Sequence, residues 1–142
     1  MSKDLKKLYS EVIRKLNDDP YHFEKKTDAG CQLHADNPVC GDRFDIFMEC
    51  TDDKIGAVHF HGFGCAISKA STSMLVKAID GKSKREAEVI CDNFLRFINQ
   101  DSRYEAVTLP GEHTPFSGVF EFPERVECAT LAWKEMKRFF EG

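Results

Sequence analysis

His61-Gly62-Phe63-Gly64-Cys65-Ala66-Ile67-Ser68 joins a short strand pattern to a helical one through two glycines and a cysteine. A thiol in the first turn of a helix faces unpaired backbone N–H groups and the positive end of the helix dipole. Cys65 should therefore ionise more readily than an ordinary buried cysteine, which makes it a candidate ligand or nucleophile. Gly62 and Gly64 permit positive φ or a close backbone approach, so the strand can hand over abruptly to the helix.

Before this junction, Ile55 to His61 reads as the return strand of a hairpin turning at Thr51-Asp52-Asp53-Lys54. Its partner runs through Phe44, Ile46, Met48 and Cys50, which alternate with Asp45, Phe47, Glu49 and Thr51 as in a half-buried strand. Cys31 to Asp36 is a candidate first strand. Asn37-Pro38-Val39-Cys40-Gly41-Asp42 is the loop between the two, because Pro38 biases Asn37 away from helix and Gly41 invites a tight turn. Further back, Leu5, Leu8, Tyr9, Val12, Ile13 and Leu16 predict an amphipathic helix over 3–17, ended by Asn17-Asp18-Asp19-Pro20. Tyr21 to Gly30 is charged and turn-rich.

After the junction the pattern is helical. Ile67, Ala70, Ser71, Met74, Leu75, Ala78 and Ile79 form one stripe, stopped by Asp80-Gly81. Ser83 and Glu86 form a capping-box pattern ahead of Ala87, Ile90, Cys91, Phe94, Leu95 and Ile98. Asn99 to Phe122 holds Pro110, Gly111, Pro115 and Gly118 with no sustained period, and reads as a long functional loop. A last helix is expected from about Arg125 or Glu127 to Phe140, with Cys128 in its first turn.

The 142 residues fit a single domain spanning 1–142, with 42% apolar residues for a core and 31% charged residues for solubility. A net charge of -4 with scattered Lys and Arg argues against nucleic-acid binding. No apolar run is long enough to span a bilayer, and Met1-Ser2-Lys3-Asp4 does not lead into a signal-peptide core, so a cytoplasmic protein is expected. In a reducing compartment six cysteines point to metal or redox chemistry together with a few buried thiols.

Cys40, Cys65 and Cys128 lie on a glycine loop and at two predicted helix N-termini, with Asp42 beside the first. Three thiols and a carboxylate make a tetrahedral set for zinc or for an iron–sulfur cluster. Their spacing has no tight Cys-x-x-Cys pair, so three unrelated half-buried thiols is the competing reading. Cys50 and Cys91 read as small buried hydrophobes, and Cys31 leans the same way. His59 and His61 share one side of their strand and are ligands by type, but such histidines are more often simply exposed or hydrogen-bonded, which is the reading favoured for them. His22, His34 and His113 have no evident partner. Trp133, Phe139 and Phe140 read as packing, and Lys82 to Glu88 as a solvated helix face.

Asn37-Pro38-Val39-Cys40-Gly41-Asp42, Gly62-Phe63-Gly64-Cys65-Ala66-Ile67-Ser68 with Ala70-Ser71-Thr72-Ser73-Met74, and Cys128-Ala129-Thr130-Leu131-Ala132-Trp133 resemble the three cysteine motifs of the NifU N-terminal, IscU and SufU family. The resemblance runs in order from Leu8-Tyr9 to Trp133. It implies an α+β fold, with a three-stranded antiparallel sheet packed against four to five helices. It also implies a site at one end built by Cys40, Asp42, Cys65 and Cys128. IscU-type scaffolds carry a histidine immediately before the third cysteine, where this chain has Glu127. SufU-type proteins lack that histidine and carry an insertion, which 100–122 resembles. Asn17 to Lys26 lacks the His-Tyr and Asn-Pro pattern of the family.

The SufU branch implies bound zinc and acceptance of persulfide sulfur from a SufS-type cysteine desulfurase, with delivery to downstream cluster-assembly proteins. The alternative within the family is a scaffold that assembles a [2Fe-2S] cluster on the same residues, and outside it a structural-zinc interaction protein. Under the SufU reading Cys40 is the sulfur acceptor, being on a flexible loop, and Asp42 is the hard, exchangeable ligand in a soft set. Arg125, one turn before Cys128, orients ligands or stabilises a persulfide anion, or else is a surface charge. A monomer is expected, with no nucleic-acid or membrane partner.

Overall fold

Alternating apolar residues build the sheet from its middle outward. In a computed structural model that describes residues 10–142, β1 (Cys31–Asn37), β2 (Asp42–Thr51) and β3 (Lys54–Phe63) form an antiparallel meander in the order β1-β2-β3. Phe44, Ile46 and Met48 of β2 and Val58 and Phe60 of β3 are buried on one face, as the period of two demands, and Ile55 reaches the same face through a bulge of one extra residue between it and Val58. The turn between β2 and β3 holds only Asp52 and Asp53, and Asp52 takes a positive φ of 52°. Both strands run further toward the junction than expected: β2 starts at Asp42 and β3 continues through Phe63.

Four α-helices are described: α1 (Glu11–Asp18), α2 (Ala66–Ile79), α3 (Lys84–Ile98) and α4 (Pro123–Glu141). Leu5, Leu8 and Tyr9 of the expected first helix lie outside the described residues, while Ile13 and Leu16 are buried as their stripe requires. Helix α2 is the hub: it packs on β3 and against α1, α3 and α4, and residues Ser68 to Val76 other than Lys69 are all buried. Helix α4 lies along β1. The Ser83–Glu86 capping box is formed in both directions.

Two expectations are corrected. Asn99 to Phe122 is not an open loop: it folds into 3-10 segments at Ala106–Thr108 and Gly111–Val119, and Leu109, Phe116 and Val119 enter the core. Phe116 meets Phe94 edge-on, and Tyr104, His113 and Phe120 surround Phe97, so aromatic packing holds a segment with no helical or strand period. Helix α4 begins at Pro123 rather than at Arg125 or Glu127, since proline at the first helical position is preset for helix and lacks only an N–H that would be unpaired anyway. Cys128 consequently lies in the second turn of α4.

Tyr21 to Glu24 is also more ordered than its composition suggests. Phe23 pairs in parallel with Phe60 on the free edge of β3: the Glu24 N–H donates to the Phe60 carbonyl at 2.9 Å, and the Phe60 N–H donates to His22 at 3.1 Å. The Tyr21 hydroxyl donates to Asp80, whose other oxygen caps the Val58 N–H.

Candidate metal centre

Strand register brings the first two motifs together. Arg43 lies opposite Phe63, so one residue further on Asp42 comes beside Gly64 and Cys65. Gly62, opposite Phe44, has a φ of 147°, and a side chain there would run into the Arg43 backbone. A Cβ at Gly64 would stand 2.6 Å from Asp42 Oδ1 and 2.9 Å from the Phe44 ring. The junction glycines are therefore spatial requirements of the site as well as a strand-to-helix hinge.

Cys65 is the N-cap of α2, and its sulfur accepts the Ser68 N–H at 3.4 Å. Its own N–H donates to Asp42 Oδ1 at 2.9 Å. The other carboxylate oxygen of Asp42 is buried with no hydrogen-bond partner, and Asp42 is only 2% exposed. A charged oxygen in that condition costs free energy unless a cation or proton meets it.

Cys40 sits at the β1–β2 tip, where the Gly41 N–H donates to the Asn37 carbonyl and Gly41 adopts a φ of 76°. Its thiol is exposed, whereas Cys128 is 1% exposed. Ligand atoms of Cys40, Asp42 and Cys128 nonetheless lie within 4.8 Å of one another, close to the roughly 3.8 Å between sulfurs that a tetrahedral zinc with 2.3 Å bonds requires. Cys65 stands outside that tightest trio, but its sulfur reaches Cys128: burial, the Asp42 carboxylate and the Cys65 thiol together push the Cys128 thiol far up. Such crowding of acidic groups is relieved by a cation. The donor set fits zinc: thiols in majority, one free carboxylate oxygen and one member open to solvent.

Cys128 reaches this point because α4 is locked to α2. The buried Ser71 hydroxyl donates to the Ala129 carbonyl and accepts the Trp133 indole N–H at 2.8 Å, while the indole stacks on Phe94. Ser71 and Trp133 belong to the quoted motifs, yet no periodicity distinguishes this bond from ordinary stripe packing. Arg125 is half-buried one turn before Cys128 on α4. Glu127 points outward, 63% exposed, toward Lys134.

The histidines have other partners. His22 stacks between Tyr21 and His59 and meets the Val58 carbonyl, and His61 lies against Phe23. His34 bonds Asp45 across the strands, and His113 is buried against the Pro110 carbonyl. Cys91 is buried as expected; Cys31 and Cys50 are half-buried.

The profile of the NifU-like N terminal domain matches residues 8–138. The chain belongs to that family. Among NifU-like relatives, the iron–sulfur cluster assembly scaffold protein IscU of Streptococcus pyogenes serotype M1 is 37% identical over 133 residues, covering 94% of this chain and 82% of the relative. The zinc-dependent sulfurtransferase SufU of Bacillus subtilis is 33% identical over 135 residues, covering 95% and 90%. A crystal structure of a SUF-system scaffold protein from Fervidobacterium islandicum AW-1 superposes with a TM-score of 0.86 at 32% identity, over 94% of this chain and 96% of that one. The N-terminal NifU-like protein of Brucella abortus gives 0.80 over 95% and 93%, and at 14% identity it speaks for the NifU-like fold alone. Among the described residues no helix is long and apolar enough to cross a membrane.

Proposed function

We propose that this IscU/SufU-type protein is a zinc-dependent sulfur acceptor in iron–sulfur cluster assembly, loaded by a cysteine desulfurase of the SufS type. The observation that carries this reading is the unequal exposure of one donor set: Cys40 is open to solvent while Asp42 and Cys128, within 4.8 Å, are buried. Cys40, Asp42, Cys65 and Cys128 would hold the ion. Zinc supplies a cation that keeps thiols deprotonated at neutral pH and has no redox chemistry of its own.

Cys40 does the chemistry. Its thiolate attacks the outer sulfur of the donor's persulfide, the donor's S–S bond breaks, and the donor cysteine leaves as a thiolate while Cys40 carries the new persulfide. The Gly41 turn lets Cys40 move without disturbing β2, and Asp42 stays fixed by the Cys65 N–H. Val39, 91% exposed, and Phe63, 65% exposed, flank the site and give a partner apolar contact next to the acceptor. Similarity to the zinc-dependent sulfurtransferase of B. subtilis and Glu127 in place of a histidine support the same branch. Arg125, one turn from Cys128, is assigned to orienting the bound sulfur.

A [2Fe-2S] scaffold is the second reading, favoured by the 37% identity to the S. pyogenes scaffold protein. Metal analysis of anaerobically purified protein, paired with desulfurase turnover, separates the two. One zinc per chain, stimulation of the desulfurase and loss of that stimulation in a folded Cys40→Ser variant are expected. Iron with sulfide, a visible chromophore and no stimulation by the zinc form would overturn the acceptor in favour of the scaffold.

A further inference from the structure

A second pair of thiols meets on the same sheet, away from the metal centre. Cys31 opens β1 opposite Met48 of β2, and Cys50 follows Met48 two residues later. The irregularity between Met48 and Cys50 falls on β3, where Gly56 and Ala57 both oppose Glu49, so Cys50 keeps the face of Met48. Burial agrees: Met48 is buried, Glu49 exposed and Cys50 half-buried. Cys31 and Cys50 are therefore diagonal neighbours on one face, both free thiols, and each lies within hydrogen-bonding reach of the other. Six residues of strand separate Met48 from Asp42, roughly 20 Å at about 3.3 Å per residue, too far for direct exchange with Cys40.

We propose that Cys31 and Cys50 form a hydroperoxide-reactive dithiol that closes to a reversible disulfide across β1 and β2. Diagonal neighbours stand about 7–8 Å apart at the backbone, and a disulfide prefers about 5.5–6 Å. Strand β1 can close that gap because it is the sheet's edge, paired on one side only, and Cys31 is its first residue.

Cys31, the first residue of the edge strand, is the thiol free to swing out and attacks first, while burial and the Cys31 thiol push the Cys50 thiol up to about 11. The Cys31 sulfur displaces one peroxide oxygen, the O–O bond breaks, and the leaving hydroxide takes a proton to become water. Cys31 is now a sulfenic acid. The Cys50 sulfur then attacks the Cys31 sulfur, and the displaced hydroxide leaves with the Cys50 proton as a second water. Two thiols lose two electrons, and one hydroperoxide gains them.

The test treats zinc-loaded protein with hydrogen peroxide, then blocks remaining thiols under denaturing, chelating conditions and maps the peptides by mass spectrometry. Expected are loss of two alkylatable thiols, a peptide cross-link joining Cys31 to Cys50, unchanged zinc content and full reversal by dithiothreitol. Cys50→Ser should trap Cys31 as a dimedone adduct with no cross-link, and Cys31→Ser should leave Cys50 unmodified; circular dichroism checks that both variants fold. The proposal fails if Cys31 and Cys50 stay fully alkylatable at peroxide concentrations that release zinc. It fails equally if either cysteine cross-links to a different cysteine or to another chain.

Discussion

Gly64 is a residue whose absent side chain defines the centre. A methyl group there would press on Asp42 Oδ1 and on the Phe44 ring, and Phe44 is fully buried, so the carboxylate is the group that must move. Gly64→Ala is expected to weaken zinc binding by about 10–100-fold, the usual cost of misplacing a ligand through its support, while leaving the fold intact. Competition with a chromophoric chelator reads the affinity, and circular dichroism the fold. The same scale explains Asp42: one oxygen is committed to the Cys65 N–H and the other is buried without a partner.

At the scale of elements, α2 and α4 are joined at Ser71, and the join sets how Cys65 and Cys128 face each other. Ser71→Ala leaves the Trp133 indole N–H and the Ala129 carbonyl without their shared partner, and should cost about 1–3 kcal/mol in urea unfolding. The segment laid along β3 carries a different signature. Burial first, then the neighbouring charges of His22 and Lys26, lower the His59 pKa, with Glu24 and Asp80 opposing. A histidine with a lowered folded value stabilises the fold fully above its unfolded value, near 6.5, and loses that contribution as pH falls toward the folded value. Thermal stability should therefore drop from pH 7 to pH 5, and less steeply in His59→Phe, which keeps a ring against His22 but cannot take up a proton. Melting both proteins at the two pH values checks the difference in slope.

At the scale of the molecule, the 3-10 segments close the helical layer. Phe116 is fully buried against Phe94, which also stacks on Trp133, so the aromatic chain runs from the 3-10 segment to the helix that carries Cys128. Phe116→Ala should cost about 3–5 kcal/mol, a large share of the 5–15 kcal/mol typical of a domain. Guanidinium unfolding measures it, and a cost near zero would restore the reading of 99–122 as a loose loop.

Local pattern alone determined the meander, the stripes of α2 and α3, the Ser83 cap and the break at Gly62-Phe63-Gly64-Cys65. Each is encoded by neighbours two to four residues apart, and the three cysteine motifs pointed to the family. Tertiary structure decided the rest. Which of three cysteines stays open to solvent, that Asp42 keeps a buried oxygen free, and that Cys31 meets Cys50 all depend on register and helix docking between residues 19 to 88 positions apart in sequence. The 99–122 segment shows no local pattern for a related reason. Its aromatics pack on α3 and α4 without any period, and periodicity reports which face of an element is apolar but not which distant surface will cover it.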